Sequence, residues 1–161
     1  MTFQEEKSGM VSTPKKKRDP YILQIASTVV GKTITRELKG QIVAVSGRSF
    51  DERGFSLIPQ PTRVLCKNEI HELVTTDEVD AGPNKTIGRA GAIGFFEVTQ
   101  GSYVIVGDSV SIRGKDIGKL AGFDETHLPN HLNIVVLSPK RVSGLEVGFH
   151  IGDRVSIGSR S

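Results

Sequence analysis

Apolar side chains recur along the chain in short runs that glycine, proline and charged residues interrupt. In Gln41–Ser46 both alternating sets of positions are largely apolar, which predicts a strand covered on both faces. Phe55–Ile58 and Thr62–Cys66 are similar runs, and the Pro-Gln-Pro sequence between them cannot lie in the middle of a sheet. Short runs rich in β-branched residues and bounded by turn residues are typical of strands. The pattern therefore predicts a mainly β chain.

Other segments are less sharply defined by their pattern. Tyr21–Val30 is predicted to be a first strand or a short helix, and Thr33–Glu37 a second short strand. Glu69–Val74 fits either a strand or the start of a short helix. Thr75–Glu78 carries residue types that cap helices, which predicts a helical turn there.

One segment of the chain occurs twice. Gly107–Ile112 (GDSVSI) recurs as Gly152–Ile157 (GDRVSI). In each copy the glycine can adopt the positive φ that a turn needs, and the aspartate can accept hydrogen bonds from nearby backbone amides. The valine and isoleucine that follow then face inward on a strand. Two such units in one small domain predict approximate two-fold pairing into a closed barrel, which leaves no sheet edge exposed.

The repeat also carries a resemblance. Gly-Asp-x-Val-x-Ile-x-Gly-Lys at Gly107–Lys115, followed by Ile-Gly-Asp-Arg-Val-Ser-Ile at Ile151–Ile157, resembles the paired half-repeats of double-psi β-barrels. The N-terminal domain of VAT-type AAA ATPases is one example, and the molybdopterin-dinucleotide domain of molybdenum oxidoreductases is another. The resemblance implies a single closed barrel with double-psi-like topology. It implies no activity, since a fold does not fix a function.

The glycine-rich segment Gly88–Gly94 admits two interpretations. It is either a phosphate-cradling loop, to which Lys85 and Arg89 add positive charge, or a strand that passes close to another backbone. Its spacing matches neither the dinucleotide-binding fingerprint nor the P-loop, which favours the strand.

Length and charge bound the organisation of the chain. Its 161 residues fit one domain, predicted over 20–161. Residues 1–19 hold five basic and three acidic side chains, a net of +2 out of +3 for the whole chain, and their composition predicts a basic, flexible tail. Because the pI near 9.1 comes largely from this tail, nucleic acid is an unlikely partner of the domain.

The remaining features of the sequence bear on the cellular compartment of the protein. No apolar run is long enough to cross a membrane, and the N-terminus lacks the apolar centre of a signal peptide, so we expect a cytoplasmic protein with no membrane partner. Cys66 is the single cysteine, and its apolar neighbours predict an inert core thiol. A homo-oligomer is compatible with the sequence.

The densest group of reactive side chains lies in Phe123–Asn133. A hairpin of Ser109–Ile112 and Ile117–Leu120 leads into it through a predicted corner at Ala121-Gly122. Phe123 is expected to enter the core while the polar residues after it emerge. The polar side chains of this loop are Asp124, Glu125, Thr126, His127, Asn130 and His131.

Three interpretations of this loop compete. His127 or His131 beside Asp124 or Glu125 would form a general acid/base pair. Alternatively, the two histidines with Asp124, and His71 from elsewhere, would hold a divalent metal such as zinc or iron. That arrangement needs a compact turn, because in an extended chain the Cα atoms of the two histidines would lie about 13 Å apart. In the third interpretation these side chains only satisfy backbone groups of an irregular loop.

The sequence thus predicts a small-molecule-binding barrel that uses His127, His131, Asp124 and Glu125 for acid/base or metal-assisted chemistry. Asn130, Thr126, Lys85 and Arg89 would contact the ligand, with the two basic residues receiving an anionic group. The alternative is a non-catalytic module that docks a protein or nucleic acid through the barrel and the basic tail.

Overall fold

The computed structural model describes residues 37–158. The predicted tail over 1–19 and the predicted strand Tyr21–Val30 lie outside the described residues, as does all but the last residue of Thr33–Glu37. The described elements are β1 (Leu38–Val45), β2 (Ser49–Phe50), β3 (Phe55–Ser56), β4 (Thr62–Leu65), β5 (Ile70–Thr76), β6 (Thr86–Ile87), β7 (Ala90–Gln100), β8 (Ser102–Ile105), β9 (Ser109–Ile112), β10 (Lys115–Asp124), β11 (Asn133–Leu137), α1 (Gly144–Val147) and β12 (Arg154–Gly158). The mainly β prediction is confirmed.

Seven of the strands pair in a ring. Their order is β1, β12, β9, β10, β11, β5 and β7, and β7 pairs in turn with β1. The pair of β5 and β11 is parallel, whereas the other six pairs are antiparallel. Strand β2 adds to β7, and two short ribbons, β3 with β6 and β4 with β8, accompany the ring.

Two apolar clusters lie on the two faces of these strands. The larger takes side chains from every strand of the ring, among them Leu73, Phe96, Phe123 and Ile134. The smaller contains Val74 and Val135, the next residues along β5 and β11, packed with side chains of β3 and β6. Successive side chains of a strand face opposite ways, so Leu73 and Ile134 lie on the face of the larger cluster, and Val74 and Val135 lie on the face of the smaller one.

The two copies of the repeat occupy equivalent places in the ring. Gly107 and Gly152 have φ of 99° and 91°. In each copy the aspartate after the glycine accepts a hydrogen bond from the backbone N–H three residues earlier, at 2.9 Å in the first and 2.8 Å in the second. Strands β9 and β12 pair so that Ser111 lies opposite Ser156, its own counterpart in the repeat. A two-fold axis therefore passes between these serines, as the sequence predicts.

This two-fold relation extends to the next strands. The N–H of Gly107 donates to the carbonyl of Leu120 on β10, and that of Gly152 to the carbonyl of Ile42 on β1, each at 2.8 Å. A register shift follows each acceptor, between Leu120 and Gly122 and between Ile42 and Ala44. Thus β10 matches β1 and β11 matches β7. Strand β5 closes the ring between β11 and β7 and has no counterpart.

Several local predictions need correction. Strand β10 continues through the predicted corner at Ala121-Gly122, which is a bulge, as far as Asp124. Strand β5 extends to Thr76, so the predicted helical turn at Thr75–Glu78 does not form. Cys66 is exposed, because β4 ends at Leu65 and the thiol lies beyond it.

Most of the glycine-rich segment Gly88–Gly94 forms the start of β7, which agrees with the favoured interpretation of a strand close to another backbone. A Cβ on Gly94 would collide with the carbonyl of Ala44.

Helix α1 was not predicted. Its capping box of Ser143 and Glu146 nevertheless has a spacing that is visible in the sequence.

Candidate metal centre

Four neighbouring strands align a row of side chains that includes the end of the predicted loop. Asp124 on β10 lies opposite Asn133 on β11, Asn133 lies opposite Glu72 on β5, and Glu72 lies opposite Phe95 on β7. Residues in register on adjacent strands face the same way. The row is therefore on the face of the smaller apolar cluster, and it brings Glu72 beside the segment that joins β10 to β11.

The joining segment is a compact turn. The N–H of Asn130 donates to the carbonyl of His127 at 2.9 Å, and the N–H of His131 donates to the same carbonyl at 3.3 Å. As a result the two imidazole rings lie 4.9 Å apart between centroids. The edge-on contact of His131 with Phe95, at 5.0 Å, fixes the second ring over β7. The compact turn that a metal site requires of this segment is thus present.

His131 has a defined tautomer and one nitrogen without a partner. Its Nδ1 lies 2.7 Å from Oδ1 of Asn130, which only accepts, so Nδ1 carries the proton in the neutral ring. Nε2 then presents a lone pair. This nitrogen is buried, has no hydrogen-bond partner, and lies 3.6 Å from Oε2 of Glu72. A lone pair 3.6 Å from a carboxylate oxygen is an arrangement that a metal cation or a proton on the ring would stabilise.

His127 is the third member of the cluster. Glu72, His127 and His131 each offer one ligand atom, and the three atoms all lie within 4.8 Å of one another. Ligands of a tetrahedral zinc ion at the usual bond lengths are about 3.3 Å apart. A small closing movement of the side chains would therefore bring the three atoms to metal-ligand distance.

Asn133 connects this cluster to Asp124. Its Nδ2 lies 3.0 Å from Oδ1 of Asp124 and 3.1 Å from Nδ1 of His127, so its two protons can serve both acceptors. The Nη2 atom of Arg53 lies 3.4 Å from Nε2 of the same ring. Because the guanidinium and the amide nitrogen both only donate, the neutral His127 ring can accept from one of the two. Asn133 Oδ1 is buried and has no hydrogen-bond partner.

Asp124 is surrounded by hydrogen-bond donors of the chain and pairs with neither histidine. Its carboxylate accepts four hydrogen bonds, from the N–H of Ser56 at 2.8 Å and from the N–H and Oγ1 of Thr126 and Nδ2 of Asn133 at 3.0 Å each. Burial opposes ionisation, but these donors outweigh it and lower the pKa of Asp124. The partners of Asp124 are thus Ser56, Thr126 and Asn133 in place of the predicted histidines, and Thr126 serves this carboxylate.

The other charged residues that were predicted to take part in the site have other partners or lie elsewhere. Glu125 pairs with Arg63 at 3.4 Å and contacts neither histidine. Arg89 binds Asp77 through two hydrogen bonds, at 3.1 and 3.2 Å, at the far end of β5, about 16 Å along the strand from Glu72. This pairing lowers the pKa of Asp77. Lys85 is exposed, and its backbone bonds to Leu57 and Gly82. Arg53, which the sequence did not single out, is the arginine beside His127.

His71 is excluded from the cluster by the alternation of β5. It faces the opposite way from Glu72, and its Nδ1 accepts the N–H of Leu132 at 3.0 Å. Its Nε2 lies 3.7 Å from Glu69. Burial lowers the pKa of His71, while Glu69 partly opposes that shift.

Residues 32–158 match a family of unknown function (DUF6917), and the chain belongs to this family. No curated protein and no solved structure matches the chain. The double-psi resemblance is accordingly not confirmed. Within residues 37–158, no helix has both the length and the apolar character needed to span a bilayer.

Proposed function

We propose that this chain binds a divalent metal ion through Glu72, His127 and His131 and uses it in chemistry on a small molecule. The observation that carries the proposal is the buried, unpartnered Nε2 of His131, which faces the carboxylate of Glu72 at 3.6 Å. A buried polar atom normally has a hydrogen-bond partner, and a lone pair beside a carboxylate with a second histidine in reach suits a metal ion.

The chemistry of the donor set fits zinc or iron. Two imidazoles and one carboxylate are a common ligand set for both ions, and three protein ligands leave a coordination position for water or substrate. Asn130 would act as the outer partner of His131, since a ligating histidine usually donates its second N–H to a carbonyl or carboxylate. The side chains of His131 and Glu72 are 15% and 18% exposed, so the cluster lies close to the surface of the domain.

His127 would join this set through a ring nitrogen that a donor now approaches. Nδ2 of Asn133 lies 3.1 Å from Nδ1, and Nη2 of Arg53 lies 3.4 Å from Nε2. Because a nitrogen that holds a cation cannot also accept a hydrogen bond, the donor at the ligating nitrogen would move away when the ion binds.

Metal content is the direct test. After incubation with zinc or ferrous iron and gel filtration, we expect about one ion per chain in the wild type and little in His131→Ala or Glu72→Gln. His150→Ala and Glu97→Gln are matched controls, because they make the same changes at an exposed turn and on the neighbouring strand β7. Wild-type protein without bound metal, or equal loading of all variants, would contradict the proposal.

Acid/base catalysis without an ion is the second candidate. It is favoured by the same approach of His131 to Glu72, since a histidine beside a carboxylate can transfer a proton. Turnover that survives chelation and is lost in Glu72→Gln would select this alternative.

We also propose that the ring of strands is a closed barrel, as the sequence predicts. The pairing of β1 with both β12 and β7 supports it, because this strand has a neighbour on each side.

A further inference from the structure

Arg53 is held beside the candidate metal centre without a counter-charge. Its guanidinium carbon lies 4.8 Å from the ring centroid of Phe55 and 5.9 Å from that of Phe50, and its backbone N–H donates to the carbonyl of Gly88 at 2.9 Å. No carboxylate among residues 37–158 is within ion-pair distance of it. The two rings and the backbone thus direct a positive charge at His127, 3.4 Å from its Nε2.

A second arginine of this region, Arg63, does have a counter-charge, because the carboxylate of Glu125 lies 3.4 Å from it. With a divalent ion on Glu72 and the two histidines, the single carboxylate would leave two positive charges in excess, one from the ion and one from Arg53. An anion bound between the ion and Arg53 would reduce the repulsion between these two charges.

We infer that Arg53 binds the acid group of a small-molecule substrate, whose oxyanion bridges the guanidinium and the open position of the metal. This inference rests on the proposed metal site and names the substrate class for it. The planar guanidinium presents paired N–H donors that match a carboxylate or a phosphate, and its position over the phenylalanine rings leaves its edge available. A carboxylate would offset one of the two excess charges, and a doubly ionised phosphate would offset both.

Cobalt-loaded protein provides a test that does not need the reaction. Anion binding to cobalt changes its visible absorption, so acetate, pyruvate and inorganic phosphate can each be titrated into the wild type and into Arg53→Gln. We expect at least a tenfold rise in the dissociation constant of the preferred anion in Arg53→Gln, with cobalt affinity kept or increased. Carboxylates tighter than phosphate would identify an organic acid, and the reverse order a phosphate compound.

The matched control is Arg154→Gln, which removes the same charge from an exposed position on β12. It should bind anions like the wild type. Cobalt-loaded Arg53→Gln with anion affinity within twofold of wild type would overturn the role of Arg53 and leave the metal site standing. Wild-type protein that takes up no cobalt would overturn both.

Discussion

Asp124 shows how a single residue can attract a functional interpretation and have a structural role. Its carboxylate is 1% exposed and is surrounded by donors from β3, the turn and β11. We expect Asp124→Asn to lower the free energy of unfolding at pH 7 by about 1.5–3 kcal/mol, because hydrogen bonds to a charged group are lost. Urea unfolding curves of wild type and variant measure this difference.

The effect of Asp124 should also depend on pH. Its pKa is lowered in the folded state, so its stabilising contribution is complete above the unfolded value of about 3.9 and disappears as the pH falls through the folded value. The difference between wild type and Asp124→Asn should therefore shrink below about pH 4. Asp80→Asn, at an exposed position, is the control and should change little. A difference that is constant from pH 7 to pH 3 would contradict this assignment.

The sequence could predict that His127 and His131 meet, but it could not predict that Glu72 joins them. His127 and His131 are near each other in the chain, so a compact turn was enough to predict that they meet. Glu72 reaches them only because β5 pairs in parallel with β11, with Glu72 opposite Asn133. No local pattern encodes that register. A charged residue between buried neighbours in a strand, His71 and Leu73, was the one available signal.

At the scale of elements, the two Gly-Asp turns should be energetically equivalent. A Cβ on Gly107 or on Gly152 would meet nothing within 4 Å, so alanine at either position costs only the strain of a positive φ. We expect Gly107→Ala and Gly152→Ala each to lower the free energy of unfolding by about 1–2 kcal/mol, measured by urea denaturation. Gly118→Ala should cost clearly more, because its Cβ would also collide with the carbonyl of Leu137. Costs that differ severalfold between the two turns would contradict their equivalence.

The repeat could be recognised in the sequence because both copies keep the residues that the turn and strand require. The length of β10 could not be predicted, because the Ala121-Gly122 pair resembles a turn. In the structure a Cβ at that position would lie 3.0 Å from the side chain of Leu57, so the glycine lies at a close contact with the segment after β3. A glycine selected by a long-range contact is indistinguishable, in sequence, from one selected by a turn.

At the scale of the described domain, the candidate site lies where the two-fold relation ends. Strands β12, β1 and β7 correspond to β9, β10 and β11, while β5 stands alone between β11 and β7. Glu72 belongs to this unmatched strand, and the histidines belong to the turn that precedes β11. All seven strands of the ring contribute to the larger apolar core, and the unmatched strand additionally carries Glu72 of the polar cluster.

This placement links metal binding to the stability of the domain. The proposed ligands come from β5 and from the turn between β10 and β11, so an ion held by all three residues binds the folded chain and not separate segments. At a free metal concentration a hundredfold above the dissociation constant, we expect the free energy of unfolding to rise by about 2.7 kcal/mol, reduced by any binding to the unfolded chain. Thermal unfolding with zinc, and again after chelation, measures this rise and its reversal. Glu72→Gln should lose it and Glu97→Gln should keep it; a rise equal in both variants would mean that zinc binds elsewhere.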